Sequence, residues 1–112
     1  MELITAAEAR AHLRVEADYP DDQVVPYLAA AISAVQKFLG CALYATFEEL
    51  QAGVVAGTAG AYPIVMTPDI RAGILLAFGN LHDNREDAGP RLLSLPSASR
   101  ALLSPHRVGV GL

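Results

Sequence analysis

The chain is organised around TPDIRAGILLAFGNLHDNRE, residues Thr67 to Glu86. Thr67 is placed to cap the free amides of a first helical turn. Pro68 stands where a missing N–H costs nothing, and Asp69 complements the positive end of the helix dipole. Ile70, Ile74, Phe78 and Leu81, flanked by Leu75 and Ala77, fall at the spacing of a helix buried along one side. The exit is polar, Asp83-Asn84-Arg85-Glu86-Asp87, and Ala88-Gly89-Pro90 ends it with a residue that can cap and one that forbids continuation. Gly73 and Gly79 each cost about 1 kcal/mol relative to Ala inside a helix, which reads either as close approach by a neighbouring backbone or as glycine tolerated in a helix that packing supports.

Working outward toward the N-terminus, a second helix is predicted from Asp21 or Asp22 to Leu39, with Leu28, Ile32, Val35 and Leu39 on one face, broadened by Ala29, Ala31 and Phe38. Pro26 moves its regular part a few residues later, and Gly40 ends it. The small side chains of Ala29-Ala30-Ala31 suit close packing against the central helix. Before it lies an acidic turn, Arg14 to Asp22, with Glu16, Asp18, Asp21 and Asp22 around Pro20. Thr5-Ala6-Ala7-Glu8 is a capping box, predicting a short first helix from Ala6 to Leu13 whose stripe of Ala6, Ala9 and Leu13 must pack on something.

Between the second and central helices, residues 41–66 lose the helical period and carry Gly53, Gly57, Gly60 and Pro63. They read as an irregular, flexible loop or a short β-hairpin, with Val54-Val55 and Tyr62 to Met66 as arms. Thr46 and Glu49 repeat the capping-box spacing and allow a helical turn over Thr46 to Gln51. After the central helix, Pro96-Ser97 opens a last small helix, Ala98 to Leu103, stopped by Ser104-Pro105. The tail, residues 106–112, alternates Val and Gly, a pattern for a strand added to a neighbour's sheet edge or for a frayed end. The expected fold is mainly α: one domain over 1–112, a small bundle of about four helices with a long central one.

Composition narrows the function. Twenty of the 112 residues are Ala and seven are aromatic, so the apolar 53% is largely small and helix-favouring. A chain this apolar and this short is expected to bury surface against other subunits. The net charge of −4 and eight scattered Lys and Arg residues provide no basic field for phosphate. No basic leader and no apolar run of spanning length is visible, and one cysteine excludes an intrachain disulfide, so synthesis in a reducing cytoplasm and no membrane association are expected.

No motif supports catalysis. His12, His82 and His106 stand far apart and none adjoins a nucleophile motif. His82 with Asp83 and Glu86 is the one dense polar group on a helix, read as a helix-end charge cluster before a metal or acid–base site. The acidic turn lacks the Gly and terminal Glu of a calcium loop, and Gly57 to Gly60 lacks the Lys and following helix of a P-loop. Cys41 reads as a small core hydrophobe. No enzyme activity, cofactor or metal is expected.

In order and spacing, several pieces of the chain resemble the head–tail connector (adaptor) proteins of tailed bacteriophages and prophages, the small helical kind below the portal. These are Leu3-Ile4-Thr5 through Glu8-Ala9-Arg10-Ala11-His12-Leu13-Arg14-Val15, the acidic turn and Phe38-Leu39-Gly40. They continue with Pro68 through Ile70 to Ile74-Leu75-Leu76, Asn84-Arg85-Glu86, Leu95-Pro96 to Leu102-Leu103, and Pro105-His106-Arg107-Val108. One departure is Leu81-His82, where members of that family often carry an aromatic. The resemblance implies a non-enzymatic virion subunit, made in the host bacterial cytoplasm. It would form a homo-oligomeric ring, commonly dodecameric, between the portal protein and a tail-completion or stopper protein, and DNA would pass through its channel without sequence-specific binding. An acidic channel wall would repel the phosphate backbone. Candidate subunit-interface residues are Tyr62, Asn84, Arg85, Glu86 and Arg107, with Arg85 and Glu86 expected to pair with the neighbouring subunit. The alternative is a small helical regulatory or DNA-binding domain, which net acidity and the lack of a helix face rich in Arg, Lys, Asn or Gln oppose.

Overall fold

A computed structural model of the chain describes residues 3–58, 60, 62–83 and 95–107. Thr5 begins the first helix, α1 (Ala6–Leu13), through the full capping box: its side chain accepts from the Glu8 amide and the Glu8 side chain accepts from the Thr5 amide. Arg14 ends it in the left-handed conformation, φ 60°, with its amide and that of Val15 returning to the last carbonyls. A 3₁₀ turn, Asp21–Gln23, leads into α2 (Val25–Leu39), with Pro26 in its first turn and Gly40 as left-handed cap. The second helix thus starts in two steps, as a proline inside the first turn requires.

The central helix, α4 (Pro68–Asp83), buries Ile70, Gly73, Ile74, Ala77, Phe78 and His82. It packs most extensively on α2, which presents Leu28, Ala31, Val35 and Leu39, and on α5 (Ser97–Leu103). α1 lies across it with Ala9 buried. Phe78, Ile70, Ile74, Leu39 and Leu103 are fully enclosed, and each such side chain stabilises the fold by about 1.5–3 kcal/mol relative to exposure. Arg71 pairs with Glu8, joining α4 to the capping box of α1. A further 3₁₀ turn, Ser104–His106, follows α5.

Three expectations are corrected. The glycines of α4 admit side chains, not a backbone: a Cβ at Gly73 would stand 2.9 Å from Cγ of Leu103, and one at Gly79 3.3 Å from Nε2 of His12. Of the alanine run only Ala31 is buried, while Ala29 and Ala30 face outward. Most importantly, residues 41–66 form no hairpin. Val54 and Val55 lie in a fifth helix, α3 (Phe47–Ala56), between two short strands, β1 (Leu43–Tyr44) and β2 (Ile64–Val65), paired parallel with Leu43 opposite Ile64 and Tyr44 opposite Val65. Parallel strands require a crossover of a dozen or more residues, and α3 supplies it. Caps at both ends outweigh the strand preference of two valines. The Thr46 hydroxyl accepts from the Glu49 amide, and Gly57, φ 76°, closes the last turn.

Candidate functional site

The β1–α3–β2 lobe grows from the end of α2. The Gln36 side chain accepts from the Leu43 amide at 3.0 Å and starts β1. The amides of Ile64 and Met66 donate to the carbonyls of Ala42 and Tyr44 at 2.9 and 2.8 Å, laying β2 alongside. Tyr44 then forms the floor under α3. Its hydroxyl donates to the Thr58 carbonyl at 3.4 Å, and a Cβ at Gly53 would lie 3.0 Å from the Tyr44 hydroxyl oxygen. Gly53 is therefore where the helix comes down on the tyrosine.

On the other side α3 faces solvent. No residue of this helix is buried, and Phe47, Val54 and Val55 are 62%, 54% and 89% exposed. Positions 47, 51, 54 and 55 share one helical stripe, so the three apolar side chains and Gln51 make one face. Tyr62, just before β2, is 65% exposed and held at φ 51°. A ten-residue helix is marginal in water without an apolar face packed on something, and here the larger apolar face is the one left open. Glu48 and Glu49 are the charged residues of α3.

The outward side of α2 has a different character. Val25 is 48% exposed, and Ala29, Ala30, Ser33 and Lys37 are exposed along the following turns. Lys37 is the one charged residue of this helix, so the surface is small, smooth and nearly uncharged.

Of the interface residues expected from sequence, Tyr62 lies beside this lobe. Arg107 is exposed but engaged with its own chain: its Nε donates to the Phe38 carbonyl at 2.9 Å, near the C-terminal end of α2, and its guanidinium lies 4.6 Å from the centre of the Phe38 ring. Asn84, Arg85 and Glu86 lie outside the described residues. Sequence reasoning missed Phe47, Val54, Val55 and Val25. The signal was present, since the Thr46–Glu49 cap opens onto apolar residues at 47, 50 and 54, which have helical spacing.

Two polar groups occupy the ends of α4. At its C-terminal end His82 is buried among three aromatic rings, those of Tyr19, Tyr27 and Phe78, with centroids 5.8, 6.0 and 6.2 Å away. His82 Nε2 and the Tyr19 hydroxyl are 2.9 Å apart. Tyr19 is in turn held by Arg10, whose Nε donates to the Tyr19 carbonyl and whose guanidinium pairs with Asp21. The acidic turn is thereby fastened to both α1 and α4. His82 is a core residue; of the charge cluster expected around it, the Asp83 carboxylate lies 3.8 Å from His82 Nδ1, and Glu86 lies outside the described residues.

At the N-terminal end Thr67 donates to Asp69, and Asp69 accepts from the Ile70 amide and meets His106 Nε2 at 2.6 Å. The Thr67 hydroxyl and the His106 imidazole hold the Asp69 carboxyl down to about 2. The hydroxyl bonds to the carboxylate and not to the imidazole, so these three groups do not make the hydroxyl–imidazole–carboxylate relay of nucleophilic catalysis. They tie the 3₁₀ turn after α5 to the start of α4. Cys41 is buried, and burial pushes its thiol up, away from the reactive thiolate.

Among the described residues no three His, Cys, Asp or Glu side chains gather as a metal site, and no helix is long and apolar enough to cross a membrane. No family model, curated protein or solved structure matches the chain.

Proposed function

We propose that the chain is a non-enzymatic structural subunit that assembles with copies of itself into a ring, as the head–tail connectors of tailed bacteriophages do. In this reading the ring, commonly of twelve copies, sits between a portal protein and a tail-completion or stopper protein, and DNA passes through it. The observation that carries the reading is the open face of α3, with Phe47, Val54 and Val55 in solvent on a helix that has no fully buried residue. An apolar patch of this kind marks a contact surface, and a ring needs a contact that repeats. The excess of twelve Asp and Glu over eight Lys and Arg suits a channel wall that does not hold DNA.

Sedimentation of the purified chain over a concentration series, with electron microscopy of the heaviest species, tests this. The expected result is a ring whose mass is a high multiple of the 11.8 kDa monomer, together with no DNA retention at physiological salt. A single monomeric species throughout, with salt-dependent DNA retention, would replace the ring by a DNA-binding domain.

A further inference from the structure

We propose that the apolar face of α3 docks antiparallel on the outward face of α2 in a second copy of this chain, giving a head-to-tail contact between two different patches. The inference rests on the ring reading and names the surfaces that would build it.

Three observations select this occupant. The first is shape. α3 offers projecting side chains, Phe47, Val54 and Val55, whereas beyond Val25 the outward stripe of α2 offers Ala29, Ala30 and Ser33. Val54 and Val55 can therefore settle on a floor of small side chains at the usual interaxial distance of about 8–10 Å, with Phe47 reaching the Phe38 end of α2.

The second is charge. The sequence of α3 includes Glu48 but no Lys or Arg, and that of α2 includes Lys37 but no Asp or Glu. Pairing α3 with α3 would give neither carboxylate a cation, and pairing α2 with α2 would give neither lysine an anion. Only the mixed contact brings opposite charges together.

The third is direction. Glu48 is at the start of α3 and Lys37 near the end of α2, so an antiparallel arrangement brings them together and aligns the helix dipoles favourably. A parallel one would set Glu48 toward the exposed Asp21 and Asp22 that precede α2. With Glu48 opposite Lys37, Val55 lies about 10 Å along α3 and falls opposite Ala30, within the roughly 18 Å from Val25 to Lys37. The two patches differ, so the contact is heterologous and repeats into a ring or a filament.

Disulfide trapping tests the contact in the full chain with Cys41→Ala as background. Val55→Cys together with Ala30→Cys is expected to give, on mild oxidation, a ladder of dimers, trimers and larger species, with each single variant giving none. In parallel, Glu48→Lys and Lys37→Glu should each raise the association midpoint at least tenfold, and the two together should bring it back within threefold. Unchanged helical circular dichroism and Tm in these exposed-site variants would keep the readings free of folding effects. Disulfide dimers from Val55→Cys alone would overturn the proposal in favour of an α3–α3 contact. Rings from the natural chain with no ladder from the double variant would overturn this contact while the ring reading stands. A monomer at every concentration with no ladder would overturn both.

Discussion

The half of the molecule built on α4 and the lobe built on α3 solve the same problem in opposite ways. α4 buries six residues against α1, α2 and α5, and its polar groups are taken up internally: His82 by Tyr19, Asp69 by Thr67 and His106, and the Gly73 carbonyl by the buried Ser99 hydroxyl at 2.9 Å. α3 is equally well capped, yet it buries no residue and leaves three large apolar side chains in solvent. Good caps with an open apolar face describe a helix shaped before its partner arrives. The contrast shows that local signals can complete an element whose packing is still unfilled.

The contrast is broken or sharpened most strongly by truncation. Phe78→Ala should cost about 3–5 kcal/mol of unfolding free energy, the usual penalty for emptying an enclosed aromatic site. Val55→Ala should stay within about 0.5 kcal/mol, as surface changes do. Urea unfolding at low protein concentration checks both, and a large loss from Val55→Ala would mean that the lobe is closed within the monomer.

The glycines of α4 give the next effect, with opposite signs. Gly73→Ala forces a methyl against the enclosed Leu103 and should destabilise by about 1–3 kcal/mol. Gly79→Ala meets only the ring of the exposed His12 and should stabilise by up to about 1 kcal/mol through helix propensity. Thermal unfolding of the two variants reads the sign directly. Ser99→Ala, which leaves the Gly73 carbonyl buried without this hydroxyl, should cost about 1–2 kcal/mol in the same assay.

The smallest effect is confined to acid. The Asp69 carboxyl ionises at about 2 in the fold against an ordinary 3.8, so its contribution is complete above about pH 4 and is lost as pH falls toward 2. Asp69→Asn should flatten the stability profile in that window, measured by urea midpoints at stepped pH.

Much of this was legible in the residues. The capping box at Thr5 and Glu8, the proline and glycine limits of α2 and the apolar spacing of α4 each have one local meaning, and each predicted its helix. The stripe on α4 was misjudged at one place, since a histidine after Leu81 reads as polar, and it is the rings of Tyr19, Tyr27 and Phe78, two of them more than fifty residues away, that make it core. The error at Val54-Val55 has a similar origin. Two adjacent β-branched residues among glycines read as a strand, and the Thr46 cap that makes them helical was read as no more than a turn. What covers a helix lies in another part of the chain or in another chain, and no local period records it. That is why the candidate surface was named at Tyr62 and missed at Phe47.

Hydrogen exchange followed residue by residue against protein concentration tests most directly whether α3 is completed by a second copy. At high dilution the amides of α3 should exchange far faster than those of α4, because a helix with no fully buried residue opens locally. As concentration rises into the range where rings form, protection should appear in α3 and on the outward turns of α2, with α4 unchanged. Protection of α3 equal to that of α4 at every concentration, in a chain that stays monomeric, would contradict it.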